Sequence, residues 1–132
     1  MYKPKVSQLR RKQRKRLFTC TGEERKKKVS SQLSQELRKV YGLRRTKLAE
    51  NDIVEICVGK FKGKSGKVIE INYEKLKVCV EDCTVNRSTG GTANVPIDPS
   101  NLKITELSMN DERKAEMKAQ LERNQKFKAM RA

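Results

Sequence analysis

The stretch Asp52–Ile71, DIVEICVGKFKGKSGKVIEI, decides the fold. Its first run places Val54, Ile56 and Val58 on one face of an alternating strand, and KVIEI resumes the alternation after Gly66. Between the two runs lies GKFKGKSG. Gly59, Gly63 and Gly66 allow positive φ and close backbone approach, while Lys60, Lys62, Lys64 and Lys67 line one tight turn with four ammonium groups. A hairpin loop of that chemistry suits a polyanion.

Downstream, LKVCV at Leu76–Val80 predicts a third alternating strand, reached through a turn at Asn72–Lys75. Glu81–Thr92 reads as a looser loop whose RSTGG segment, Arg87–Gly91, is either a plain hairpin tip or an element that reaches RNA. Ala93–Ile97 and Leu102–Leu107 supply two further strands, separated by Asp98, Pro99 and Ser100. Five short strands around a small interior predict a mainly β fold, a small barrel of the SH3-like kind.

Upstream, Leu33, Leu37 and Tyr41 repeat at helical spacing, so a short helix is predicted at about 31–41, capped by Ser30 or Ser31 and stopped by Gly42. Residues 1–29 carry dense charge and no period, and are expected to be disordered or extended until a partner orders them. Leu17 and Phe18 are the apolar exception there, able to stack on a base or dock on the barrel, with docking favoured. From Ser108 the spacing of a capping box and a run of strong helix formers predict a helical tail, with Met117 and Leu121 as a thin apolar face. The chain therefore divides into a basic arm (1–50), a barrel (51–107) and a helical tail (108–132).

Charge sharpens that division. Of 32 basic and 16 acidic residues, residues 1–50 hold 17 and 4, residues 51–107 hold 8 of each, and residues 108–132 hold 7 and 4. A neutral middle with cationic extensions is the electrostatic footprint of a nucleic-acid binder. The candidate RNA contacts are Arg10, Arg11, Arg14, Lys15, Arg16, Lys26 and Lys27 in the arm, and Arg38, Arg44 and Arg45 around the end of the short helix. In the barrel they are Gly59, Lys60, Lys62, Gly63, Lys64, Gly66 and Lys67 of the first hairpin and Arg87 of the later loop.

A strand, then GxxKG, a further glycine and a hydrophobic strand make up the pattern of the KOW motif. Together with RKRLF, SSQLSQELR and YGLR upstream and VPIDPSNLKITEL downstream, the chain resembles the KOW-containing ribosomal large-subunit proteins numbered twenty-six in eukaryotes and twenty-four in bacteria. The resemblance implies an SH3-like (KOW) β-barrel and binding to large-subunit rRNA, in its 5′ region and to 5.8S rRNA where that is separate. It also implies neighbouring large-subunit proteins as partners and a place near the peptide exit tunnel, with nuclear or nucleolar passage before a cytoplasmic life if the source is eukaryotic. Mapped on the family's motifs, the matched positions are Arg14, Lys15, Arg16, Arg38, Arg44, Gly59, Lys62, Gly63, Gly66 and Lys67. Asp98 stands where eukaryotic relatives often carry histidine, so that turn is expected to cap the barrel rather than touch phosphate.

Other function classes find little support. The Gly63–Ser65 sequence GKS is no Walker loop, because Val58 stands where the first glycine is required and a strand, not a helix, follows. With no histidine there is no ready base near neutral pH, and neither an enzyme activity nor a small-molecule substrate is expected. Cys20, Cys57, Cys79 and Cys83 lack zinc-site spacing, so no metal or other cofactor is expected and the thiols read as small hydrophobes. No segment reaches the apolar length of a membrane span and the N-terminus lacks a signal-peptide core, which predicts a cytosolic or nuclear protein without membrane insertion. The rival of a different class is a KOW module of the transcription apparatus, which would be expected beside a larger polymerase-binding domain. A histone-like DNA compactor accounts for the charge but not for the hairpin.

Overall fold

A computed structural model describes residues 7–130. Two basic helices, α1 (Arg10–Thr19) and α2 (Gly22–Lys28), precede β1 (Ser30–Leu33), α3 (Gln35–Tyr41) and β2 (Arg45–Lys47). The hairpin strands β3 (Ile53–Ile56) and β4 (Ser65–Asn72) follow, then β5 (Lys77–Asn86), β6 (Thr92–Ile97), a 3-10 turn at Pro99–Asn101, β7 (Leu102–Glu106) and α4 (Asp111–Ala129). The fold is mainly β, a seven-stranded mixed sheet in the order β2-β1-β7-β3-β4-β5-β6, with β2 and β6 at its two ends.

Alternation dictates the sheet's inner face. Val54 and Ile56 on β3, Leu102 and Ile104 on β7, and Val78 and Val80 on β5 are all buried, and the β3–β7 register sets Val54 opposite Ile104. Each such side chain contributes about 1.5–3 kcal/mol by leaving water. Val58 does not continue the face: the strand ends at Ile56, and Val58 lies 58 % exposed at the start of the loop.

The region predicted as one helix at 31–41 divides. Ser30–Leu33 is a strand, antiparallel to β2 and parallel to β7, and the helix begins at Gln35 with Ser34 as its cap. The Ser34 hydroxyl accepts from the Leu37 N–H at 3.3 Å. The strand was hidden because one of its two inward positions is a serine: Ser31 is fully buried, and its hydroxyl donates to the Pro99 carbonyl at 2.5 Å. The helix ends as predicted, Gly42 taking φ 63° and donating to the Arg38 carbonyl. A Cβ at Gly42 would stand 3.2 Å from a Leu121 methyl of α4, a tight contact added to the demand of its backbone angle.

β5 is longer than predicted and replaces much of the expected loop at 81–92. It runs to Asn86, and only Arg87–Gly91 turns. A register shift between Cys79 and Thr84, with Asp82 at φ 59°, resets the alternation so that Cys83 faces inward after Val78 and Val80.

The arm and tail are also more ordered than the sequence suggested. α1 and α2 replace the extended chain expected before residue 29, although residues 1–6 lie outside the described part. Leu17 and Phe18 do not dock on the sheet: Phe18 is 64 % exposed, with the Arg14 guanidinium 5.5 Å from its ring centroid. In the tail, α4 is capped at Asn110 without a side-chain bond, so the predicted capping box at Ser108 does not form. Instead Met117 enters the core, and Arg113 reaches the fully buried Asp52.

That pair is the main polar tie of the interior. Asp52 accepts from Arg113 Nη1 at 2.5 Å and Nη2 at 2.8 Å, and from the N–H groups of Ala49 at 3.0 Å and Ser108 at 2.8 Å. Arg113 also donates to the carbonyls of Ser108 and Lys47. The carboxylate is fully buried, the guanidinium is largely covered, and both are hydrogen-bonded, which is the condition under which such a pair is tolerated.

Candidate nucleic-acid interface

Three cationic regions stand on this scaffold. The first is α1, where Arg10, Arg11, Arg14, Lys15 and Arg16 are all exposed and no residue is buried. Like charges meet at i, i+4 between Arg10 and Arg14 and between Arg11 and Lys15, and the first turn has no acid to complement the helix dipole. An anion laid along this helix would relieve both. Lys26 and Lys27 on α2 are exposed as well, with Lys26 in a surface pair with Glu23 at 3.3 Å and Arg16 bridging to Glu24 at 3.4 Å.

The second region is the β3–β4 loop. Gly59 and Gly63 take φ 106° and 84°, as the turn requires, whereas Gly66 is not in the left-handed region. Gly66 answers a different need: a Cβ there would lie 3.0 Å from the Glu81 carbonyl oxygen and from Val80. The Gly63 N–H is donated to the Ile56 carbonyl at 2.8 Å and closes the hairpin, so it is not free to cradle a phosphate. The loop's lysine side chains are turned to solvent. Lys60, Lys62, Lys64 and Lys67 are exposed, with the Lys64 ammonium 5.5 Å from the Phe61 ring centroid.

The third region surrounds β2 and α3. Arg44 and Arg45 are exposed, and one Arg45 nitrogen donates to the Ser30 carbonyl at 2.9 Å. Arg38 is half-buried and committed, its Nε to the Leu33 carbonyl at 2.8 Å and its Nη2 to Gln32 at 3.1 Å, so it fastens α3 to β1. Arg87 stands apart at the β5–β6 tip, where its backbone closes the turn with Gly90 and Gly91.

Sequence reasoning missed Lys47 and Arg123, which share a cleft with Lys27 and Arg45 between α2, β2 and α4. Only the seating of α4 brings them there, and no local pattern announces it. Asp98 behaves as expected of a cap. It accepts from the Ser100 N–H at 3.1 Å and hydroxyl at 2.7 Å and pairs with Lys77 at 3.1 Å. Burial alone would raise its pKa, but the bonds from Ser100 and Lys77 prevail and hold the carboxyl below its ordinary value. The Lys103 ammonium is pushed up by its bond to Glu55 and the charge of that carboxylate. Burial pushes the thiols of Cys79 and Cys83 up, and all four cysteines are free. Among the described residues no helix is long and apolar enough to cross a membrane.

A small mainly β protein with its excess positive charge gathered before residue 51 has the electrostatic footprint expected of a polyanion binder. Comparison with known sequences is more specific. The family that joins eukaryotic ribosomal protein L26 to its archaeal L24-type counterpart matches residues 7–124. Large ribosomal subunit protein uL24 of Haloarcula marismortui is 37 % identical over 103 residues, covering 78 % of this chain and 86 % of the relative. The chain belongs to this family of eukaryotic and archaeal ribosomal proteins.

Proposed function

We propose that the chain is a structural constituent of the large ribosomal subunit that binds folded rRNA and supports subunit assembly near the peptide exit tunnel. The observation that carries this reading is the segregation of charge: 17 basic against 4 acidic residues before position 51, then 8 of each through residue 107. The sheet supplies a neutral, rigid support, and α1, α2, the β3–β4 loop and the β2 region carry the cations. Arg10, Arg11, Arg14, Lys15, Arg16, Lys26, Lys27, Arg44 and Arg45 meet phosphates from the arm. Lys60, Lys62 and Lys64 do so from the loop, Lys67 from the start of β4, and Arg87 from the ribbon tip. Arg38, Gly59, Gly63 and Gly66 serve the interface by fixing its backbone. Strands β3 to β7 are read as the family's SH3-like (KOW) barrel, with β1 and β2 as additions from the arm. The partners are large-subunit rRNA in its 5′ region, 5.8S rRNA where separate, and adjacent large-subunit proteins. The location is the cytoplasmic ribosome, after nuclear assembly in a eukaryote.

The test is sedimentation of a tagged cell extract at high salt, where the chain is expected to remain with the large subunit. Recovery only with RNA polymerase would instead favour a transcription role. If about ten cations meet phosphates, the affinity of the purified chain for large-subunit rRNA falls with a log–log salt slope of about −7 to −9.

A further inference from the structure

The cleft between α2, β2 and α4 has a volume of ≈520 Å³, within the range of about 300–1,000 Å³ typical of ligand clefts. Its chemistry is selective. Glu23 and Glu116 are its carboxylates; the first pairs with Lys26 at 3.3 Å and the second with Lys47 at 2.7 Å. Lys27, Arg45 and Arg123 remain as cations with no ion pair among the described residues, although Arg45 and Arg123 each donate one bond to a backbone carbonyl. Beside them, Phe127 lines the cleft and is 54 % exposed, so an aromatic ring stands in solvent with cationic neighbours. Two amides complete the wall. Gln120 spends its N–H on the Arg45 carbonyl at 3.1 Å and keeps its oxygen as an acceptor, and Asn124 lies one helical turn further along α4. The base of the cleft is closed by buried Thr46 and Met117.

An aromatic face, amides able to meet a base edge and an excess of unpaired cations are together the requirements of an unstacked nucleotide. A protein partner would be better served by an apolar or charge-balanced groove. We infer that this cleft receives one unpaired nucleotide of an RNA strand, with its base on the Phe127 ring and its flanking phosphates on Lys27, Arg45 and Arg123. The inference rests on the rRNA-binding reading above and adds to it a site that reads a base rather than the backbone. It also assigns the tail helix a role in contact with RNA.

The full chain contains no tryptophan, so a Phe127→Trp variant carries a single indole reporter. Adding a single-stranded oligoribonucleotide of about eight residues is expected to quench that indole, because a base stacks on it. Phe127→Ala is expected to weaken oligonucleotide binding about tenfold in fluorescence anisotropy. The residue is half-exposed, so thermal melting should be unchanged. Arg123→Gln should weaken binding and flatten the salt dependence by about one unit of slope. The inference is overturned if the indole is unquenched and Phe127→Ala binds like wild type while large-subunit rRNA is still held. A wild-type chain that binds no rRNA overturns the ribosomal reading and this one together. An indole that responds only to other large-subunit proteins assigns the cleft to a protein and rejects the nucleotide.

Discussion

Two helices bracket the sheet and handle charge in opposite ways. α4 begins with Asp111 and Glu112 and ends with Lys126 and Lys128, in agreement with the helix dipole, and it buries Met117 and ties Arg113 to Asp52. α1 begins on cations and buries nothing. The tail helix draws its order from the fold, whereas the arm helix sets like charges one turn apart and, on the proposed function, gains its order from a polyanion. Arginine stands in both: enclosed and matched with a carboxylate it holds the structure together, and exposed on α1 it is assigned by the proposed function to binding. Predictions about stability and predictions about binding should therefore separate along this line.

The largest effect is expected at the enclosed pair. Arg113→Ala leaves the Asp52 carboxylate buried without its counter-charge and should cost about 3–5 kcal/mol in denaturant unfolding. A change below about 1 kcal/mol would show that α4 is not held by this tie. Next come the glycines that the fold crowds. Gly42→Ala places a Cβ against Leu121 at a left-handed backbone and should destabilise by about 1–2 kcal/mol, with rRNA affinity at saturating folded protein unchanged. For α1 the effect is on binding. Replacing Arg10, Arg11 and Arg14 together by glutamine should leave the melting temperature nearly unchanged and reduce the salt slope by about 2–3 units. A lost slope accompanied by unfolding would erase the contrast between the helices. Lys62→Ala is smaller still, about one unit of slope.

Asp98 provides a test in acid. Its carboxyl lies below the ordinary 3.8, so its contribution is fully present above that value and disappears as pH falls through the lower folded value. Asp98→Asn should thus lower the melting temperature slightly near neutrality and converge with wild type in strong acid. The side chain is 45 % exposed, so the difference should stay below about 1 kcal/mol.

Much of this was legible in the sequence where period and turn chemistry agree. Val54, Ile56, Leu102 and Ile104 alternate and are buried, Gly42 stops its helix, and Asp98 caps its turn. The misreadings have physical causes. Ser31 gave a buried strand position a polar identity, because its partner, the Pro99 carbonyl, lies far along the chain. Asp82 hid the continuation of β5 by a bulge that resets the alternation. Nothing local to Asp52 or Arg113 reveals that one will be enclosed with the other. The candidate contacts were legible as composition, but the cleft that groups Lys27, Arg45, Lys47 and Arg123 comes from tertiary packing alone.

The parallel pairing of β1 with β7 also has a consequence for biosynthesis. Gln32 finds its parallel neighbour only at Lys103, and Asp52 waits for Arg113, so about four-fifths of the polypeptide must emerge before either contact can form. Until then the cationic arm is already made while the sheet behind it is incomplete. Newly made copies therefore pass through an interval, set by strand order, in which the sheet still lacks its central partner strand.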